Sequence, residues 1–142
     1  MPPPVRRMAG RTSPLRSTAM PKVLLVTDSA WVRNDVLASL SSDDVHHEAD
    51  PRLAVARAAE LAPEAVIVDL QVGSMGGMAL TRAIRDAAAL GEITPAPVIL
   101  LLDRSADAFL ARRAGANAYV VKPFEAQELR NALAAVLNPA AG

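Results

Sequence analysis

Three charged side chains, Asp28, Asp69 and Lys122, each follow closely on a short apolar run of the sequence. Two neighbouring carboxylates make a hard oxygen site suited to Mg²⁺, and a lysine supplies a compact cation for a phosphoryl group. A carboxylate between a metal and a lysine can act as a nucleophile and form an aspartyl phosphate. Taken alone, Asp69 is more typical of a turn or helix cap after a strand, so the elements that position the three residues decide the interpretation.

Apolar patterning predicts five strands that alternate with five helices. Runs of branched apolar residues are typical of strands buried in a parallel sheet. The strands are predicted at residues 23–26, 45–49 (a weak signal), 65–68, 98–102 and 118–121. The helices are predicted at residues 31–40, 51–62, 77–89, 106–114 and 125–137. Asp50 before Pro51 is a strong start for the second helix, Ser105 can cap the fourth, and Gly115 can end it.

Strands alternating with helices, starting with a strand, predict an α/β fold in which a parallel sheet is covered on both faces. The common solution at this size is the flavodoxin-like doubly wound sheet with strand order 2-1-3-4-5. Strands 1 and 3 are neighbours in that order. Asp28 and Asp69 are therefore predicted to lie side by side at the carboxyl edge of the sheet, with Lys122 at the end of strand 5 nearby.

Composition excludes several classes of protein. The chain of 142 residues is long enough for one domain with a real core. It contains no cysteine, which excludes disulfides and thiolate metal sites. No apolar run approaches the roughly 20 residues that span a bilayer, so we expect no membrane insertion and a cytoplasmic location.

The charges are unevenly distributed along the chain. Residues 1–20 contain four arginines, several prolines and no acid, so we expect a disordered basic tail. The remaining residues contain 11 bases and 15 acids, a net charge of −4, which gives no nucleic-acid footprint. We therefore expect a folded domain over 21–138, with a short C-terminal tail over 139–142.

One motif is more specific than the rest. Residues 115–124 read Gly-Ala-Asn-Ala-Tyr-Val-Val-Lys-Pro-Phe, and the lysine-proline-phenylalanine within them is similar to a signature of the receiver domain of two-component response regulators. The resemblance extends over residues 21–137. Its other matches lie at residues 23–29, 63–70, 75–77 and 97–101.

This resemblance implies roles for individual residues. Asp69 would accept a phosphoryl group from a histidine kinase or a phosphotransfer protein. Asp28, Asp69 and the backbone carbonyl of Gln71 would bind Mg²⁺, and Lys122 would contact the phosphoryl oxygens. Such a domain is a signalling module, with no catalysis beyond its own phosphorylation and dephosphorylation.

The resemblance also implies an output surface. Leu102 and Tyr119 fall on the two switch positions of the family, and the fourth helix, strand 5 and the last helix would form the face that binds a protein target. Because the chain ends just after the last helix, we expect the domain to act alone.

Two departures from the family pattern, at residues 27 and 102, favour an alternative. Thr27 stands where an acid is usual, which predicts weak Mg²⁺ binding. Leu102 stands where a Thr or Ser hydroxyl usually bonds the phosphoryl group, so we expect little change at the output surface. Asp103 follows it and could either add a repulsive charge or partly replace the lost acid, because the sequence does not show the direction of its side chain. The alternative is a pseudo-receiver, an interaction module that is not phosphorylated; a flavodoxin-like binder of small molecules is a third, weaker hypothesis.

Overall fold

A computed structural model describes residues 20–73 and 76–138 of the chain. Five parallel strands lie in the order β2-β1-β3-β4-β5, which confirms the predicted topology. The strands are β1 (Lys22–Val26), β2 (Asp44–Glu48), β3 (Ala65–Asp69), β4 (Val98–Leu102) and β5 (Ala118–Val121). The helices are α1 (Ala30–Ser39), α2 (Ala54–Leu61), α3 (Gly77–Ala89), α4 (Ala108–Ala114) and α5 (Ala126–Leu137). Within the described ranges, no helix is long and apolar enough to cross a membrane. The predicted tails lie outside these ranges, apart from Met20.

Both faces of the sheet are covered, and this explains the unbroken apolar runs of the inner strands. Along β3, Val66 and Val68 pack into one hydrophobic cluster with α2 and α3. The alternate residues Ala65 and Ile67 pack into a second cluster with α1 and α5 on the other face. Because successive side chains of a strand point to opposite faces, both sets must be apolar until the strand reaches the carboxyl edge of the sheet, where Asp69 ends β3.

The second helix begins one turn later than predicted. Asp50 does cap this segment, since its Oδ1 accepts a hydrogen bond from the backbone N–H of Arg52 at 2.9 Å. Residues Pro51–Leu53, however, form a 3₁₀ turn, and the α-helix starts only at Ala54. The same capping residues serve both kinds of helix, so the sequence signal does not separate them.

The predicted cap of the fourth helix is wrong. Ser105 is itself the first residue of a 3₁₀ turn, Ser105–Asp107, and no side chain caps that turn. The turn is closed instead by an ion pair between Arg104 Nη2 and Asp107 Oδ1, which are 3.0 Å apart. The predicted end of α4 is confirmed, because Gly115 adopts the left-handed conformation with φ +86°.

Candidate functional site

The register of the sheet decides which residues meet at its carboxyl edge. Val26 of β1 lies opposite Val68 of β3, and each is followed by a polar residue, Thr27 and Asp69. Thr27 is therefore level with Asp69, with Asp28 one residue further along the chain. Asp28 and Asp69 both lie at this edge, as predicted, but they are not side by side. The direct neighbour of Asp69 is Thr27.

Asp69 is buried, and both of its carboxylate oxygens are held. Its side chain is 2% exposed, and Oδ1 lies 2.5 Å from the ammonium nitrogen of Lys122. Oδ1 also accepts a hydrogen bond from the backbone N–H of Gln71 at 3.2 Å. Oδ2 accepts one from the Thr27 hydroxyl at 2.8 Å. The predicted meeting of Asp69 with Lys122 is thus present, and Thr27 adds a neutral donor.

Thr27 links the site to the edge of the sheet. It is fully buried, and its hydroxyl oxygen also accepts a hydrogen bond from the backbone N–H of Ser29 at 3.1 Å. Its carbonyl oxygen lies 2.7 Å from Nε2 of His47 on β2. The sequence did not predict this contact, because it depends on the pairing of β2 with β1 and the sequence signal for β2 is weak.

Lys122 has a second carboxylate partner. Its Nζ lies 3.1 Å from Oδ1 of Asp103, the first residue after β4. The other oxygen of Asp103 accepts a hydrogen bond from the side-chain amide of Gln71 at 2.8 Å. Burial acts to raise the pKa of Asp103, but the hydrogen bonds from Gln71 and Lys122, with the positive charges of Lys122 and Arg104, hold it below its ordinary value. The sequence had left the direction of this side chain open.

Asp28 is exposed and fixes the loop that follows β3. Its Oδ2 accepts a hydrogen bond from the backbone N–H of Gly73 at 2.9 Å. Gly73 has φ +51°, in the left-handed region that favours glycine. Within residues 20–73 and 76–138, no group of three or more His, Cys, Asp or Glu residues forms a metal cluster. The two carboxylates that were predicted to hold Mg²⁺, those of Asp28 and Asp69, both lie at this edge of the sheet.

The two predicted switch residues differ in exposure. Leu102 is fully buried in the cluster beneath α2 and α3 and offers no hydrogen bond at the edge. Tyr119 on β5 is 43% exposed, and Phe109 on α4 is 48% exposed.

Gly77, which sequence reasoning did not single out as a site residue, lies directly against the strand that carries Asp69. A Cβ added there would come within 2.6 Å of the Asp69 carbonyl oxygen and 2.7 Å of the Leu70 Cα. The start of α3 can therefore approach the end of β3 this closely only because residue 77 is a glycine.

Comparison with known proteins agrees with this arrangement of residues. The model of the response regulator receiver domain matches residues 23–134. The chain belongs to the response regulator receiver family. Among curated relatives, it is 30% identical over 123 residues to the two-component response regulator PhoP of Pseudomonas aeruginosa, covering 85% of this chain and 53% of that protein. It is 32% identical over 124 residues to the transcriptional regulatory protein PrrA of Mycobacterium tuberculosis, covering 83% and 50%.

Solved structures place this receiver domain in the same group. The chemotaxis protein CheY4 of Vibrio cholerae is 28% identical, with a TM-score of 0.72, and the match covers 84% of this chain and all of that one. The receiver domain of the sensor histidine kinase PA1611 of Pseudomonas aeruginosa, solved with a magnesium ion coordinated in its active-site cleft, is 28% identical with a TM-score of 0.72; the match covers 84% of this chain and 99% of that one. The chain spans about half the length of the curated relatives named above.

Proposed function

We propose that this receiver domain accepts a phosphoryl group on Asp69 and passes the signal on through protein contact. The observation that carries the proposal is the buried contact between Asp69 Oδ1 and the Lys122 ammonium, 2.5 Å apart at the carboxyl edge of the sheet. A carboxylate held against a fixed cation is suited to receive a phosphoryl group, because the cation offsets the added charge without reorganisation.

The proposed transfer forms one bond to phosphorus and breaks another. A carboxylate oxygen of Asp69 attacks the phosphorus of an acyl phosphate or a phosphohistidine, and the bond from phosphorus to the donor oxygen or nitrogen breaks. From an acyl phosphate the leaving group is a carboxylate anion, so no proton moves. From a phosphohistidine whose other ring nitrogen carries a proton, the leaving group is a neutral imidazole, so again no proton moves. Lys122 remains beside the product and neutralises part of its charge. The donor in a signalling pathway would be a histidine kinase or a phosphotransfer protein.

The oxygen atoms available at the site are ligands that Mg²⁺ prefers, but only Asp28 and Asp69 among the proposed ligands carry a charge. A carboxylate offers about four lone-pair sites, and Asp69 already accepts from Lys122, Gln71 and Thr27. Asp28 is exposed and accepts only from Gly73 among the described hydrogen bonds. Asp28, Asp69 and the backbone carbonyl of Gln71 would hold the ion, which keeps several of its waters in such sites. When bound, it would supply positive charge that offsets the negative charge of the phosphoryl group. We expect its affinity to be low because Thr27 offers a hydroxyl in place of a third carboxylate.

Intact mass spectrometry tests the proposal directly. The full chain is incubated with acetyl phosphate and Mg²⁺, and one added phosphate is expected. Asp69→Asn should take up none, while Asp86→Asn, a change to an exposed carboxylate on α3, should behave as the wild type. Absence of the adduct at every Mg²⁺ concentration would contradict phosphoacceptor chemistry at Asp69.

The alternative, a pseudo-receiver that is not phosphorylated, draws support from one specific contact. The Thr27 hydroxyl donates to Asp69 Oδ2 at 2.8 Å and so occupies the oxygen that Lys122 leaves free. Under either hypothesis we propose that the protein target binds the face formed by α4, β5 and α5. Exposed Phe109 and Tyr119 provide apolar surface there.

A further inference from the structure

Asp103 lies against Lys122, the lysine that also contacts Asp69. It follows directly after Leu102, whose buried side chain has no group that could form a hydrogen bond at the edge of the sheet. One oxygen of the Asp103 carboxylate lies 3.1 Å from Lys122 Nζ, and the other accepts from the Gln71 amide at 2.8 Å. Both oxygens therefore have a donor, and the carboxylate bridges the end of β5 to the loop after β3.

The two carboxylates that share Lys122 differ in their freedom to move. The Asp69 side chain is 2% exposed and is fixed by donors on both oxygens, whereas the Asp103 side chain is 39% exposed. If Lys122 must release one of them, Asp103 can turn into solvent at little cost. Asp69 cannot do so without carrying a charge through the buried edge of the sheet.

A phosphoryl group on Asp69 would force that choice. It brings close to two negative charges and three strong acceptor oxygens to the neighbourhood of the ammonium. Asp103 brings a carboxylate to the same cation, with its Oδ1 3.1 Å from Lys122 Nζ. Like charges around one lysine repel, so the more exposed and less constrained partner leaves.

We propose that Asp103 is a built-in anionic ligand of Lys122 that phosphoryl transfer to Asp69 expels, breaking the bridge to Gln71. The inference rests on the proposed function and names its regulation. It supplies a contact that differs between the two states, which Leu102 does not, and only such a contact can shift an equilibrium. Only Arg104 separates Asp103 from the 3₁₀ turn Ser105–Asp107, which leads into α4, so we expect the expulsion to reach the start of α4.

The bridge itself is tested without any phosphoryl donor. Amide hydrogen exchange of residues 103–107 is measured by mass spectrometry in the full chain for the wild type, Gln71→Leu, Asp103→Asn and the charge-matched control Asp86→Asn. We expect faster exchange in the first two variants and unchanged exchange in the control. Equal exchange in all four proteins would overturn the resting bridge.

The expulsion is tested with acetyl phosphate and Mg²⁺. We expect the wild-type adduct to show faster exchange at residues 103–107 than the unmodified protein. In Asp103→Asn the adduct should form about tenfold faster, the effect of about 1.4 kcal/mol, and should leave exchange unchanged. An adduct on Asp103→Asn alone would overturn the expulsion, because Asp103 would then block phosphoryl transfer in the wild type instead of being displaced by it.

The outcomes separate the two proposals. The expulsion would be overturned if the adduct formed at the same rate in the wild type and in Asp103→Asn and left hydrogen exchange at residues 103–107 of the wild type unchanged. The phosphoacceptor function would then still stand. Absence of an adduct in the wild type and in Asp103→Asn would overturn the phosphoacceptor function and the expulsion together, and the donor-free measurement would still decide whether the bridge exists.

Discussion

The buried ion pair predicts that Lys122 and Asp69 contribute unequally to stability. Lys122 has a second carboxylate, Asp103, at 3.1 Å, so Asp69→Asn leaves the ammonium paired. Among the ion pairs of the described residues, Asp69 has no cation other than Lys122. Lys122→Met therefore leaves a carboxylate with 2% exposure that only Thr27 and Gln71 hydrogen-bond.

The size of the difference follows from burial. Removing one partner of a buried pair typically costs about 3–5 kcal/mol, because it leaves an uncompensated charge. We expect about 3 kcal/mol for Lys122→Met, since Thr27 and Gln71 still donate to the stranded carboxylate. Asp69→Asn should cost about 1 kcal/mol or less, because it also relieves repulsion among carboxylates around one lysine. Against a typical domain stability of about 5–15 kcal/mol the difference is easily measured.

Urea denaturation of the full chain, followed by circular dichroism at neutral pH without metal, measures these costs. A double-mutant cycle supplies the matched control, because Lys122→Met in the Asp69→Asn background no longer strands a buried charge. We expect its cost there to fall to about 1 kcal/mol. If Lys122→Met costs the same in both backgrounds, or no more than Asp69→Asn, the carboxylate does not depend on the lysine and the electrostatic argument is wrong.

Three further changes have defined outcomes. Thr27→Asp sets a carboxylate beside Asp69, so we expect a lower melting temperature without metal and Mg²⁺ affinity about tenfold tighter by thermal-shift titration; unchanged affinity would exclude this position from the metal shell. Gly77→Ala drives a Cβ into the backbone of β3, so we expect about 1–3 kcal/mol of destabilisation by urea titration; a neutral result would mean that α3 is free to shift. The pKa of Asp50 is held below its ordinary value by the Arg52 side chain and then by its backbone N–H. That stabilisation is present above the ordinary carboxyl pKa and is lost as pH falls through the lowered one, so the stability gap between wild type and Asp50→Asn should close in acid.

The elements of the fold could be predicted where one physical cause dominates. β3 and β4 are buried on both faces, so their sequences are continuous apolar runs with clear ends. α3 and β4 have the predicted bounds. The starts of α2 and α4 could not be placed, because a 3₁₀ turn and an α-helix share the same first hydrogen-bonding requirements.

The site, too, contains some residues whose positions the sequence predicts and others whose positions it does not. Asp69 and Lys122 both come at the ends of strands of one sheet, so their approach follows from topology alone. Which residue after β1 lies beside Asp69 depends on the register between β1 and β3. A difference of one residue in that register places Thr27 there instead of Asp28. The direction of Asp103 depends on side-chain contacts with Gln71 and Lys122 from two other segments, which a local pattern cannot specify.

Compared with the family pattern, one carboxylate of this site lies at a different position. The resemblance implies two acids after β1 and one after β3, but here the position level with Asp69 is the neutral Thr27. A third carboxylate nevertheless stands at the site, because Asp103 lies on the other side of Lys122. A carboxylate beside a metal is compensated by the ion, whereas one on the lysine opposes an incoming phosphoryl dianion. We therefore expect an acid at residue 103, in place of one at residue 27, to weaken Mg²⁺ binding and to oppose the incoming phosphoryl group, and we expect reversal of either change to favour phosphorylation of Asp69.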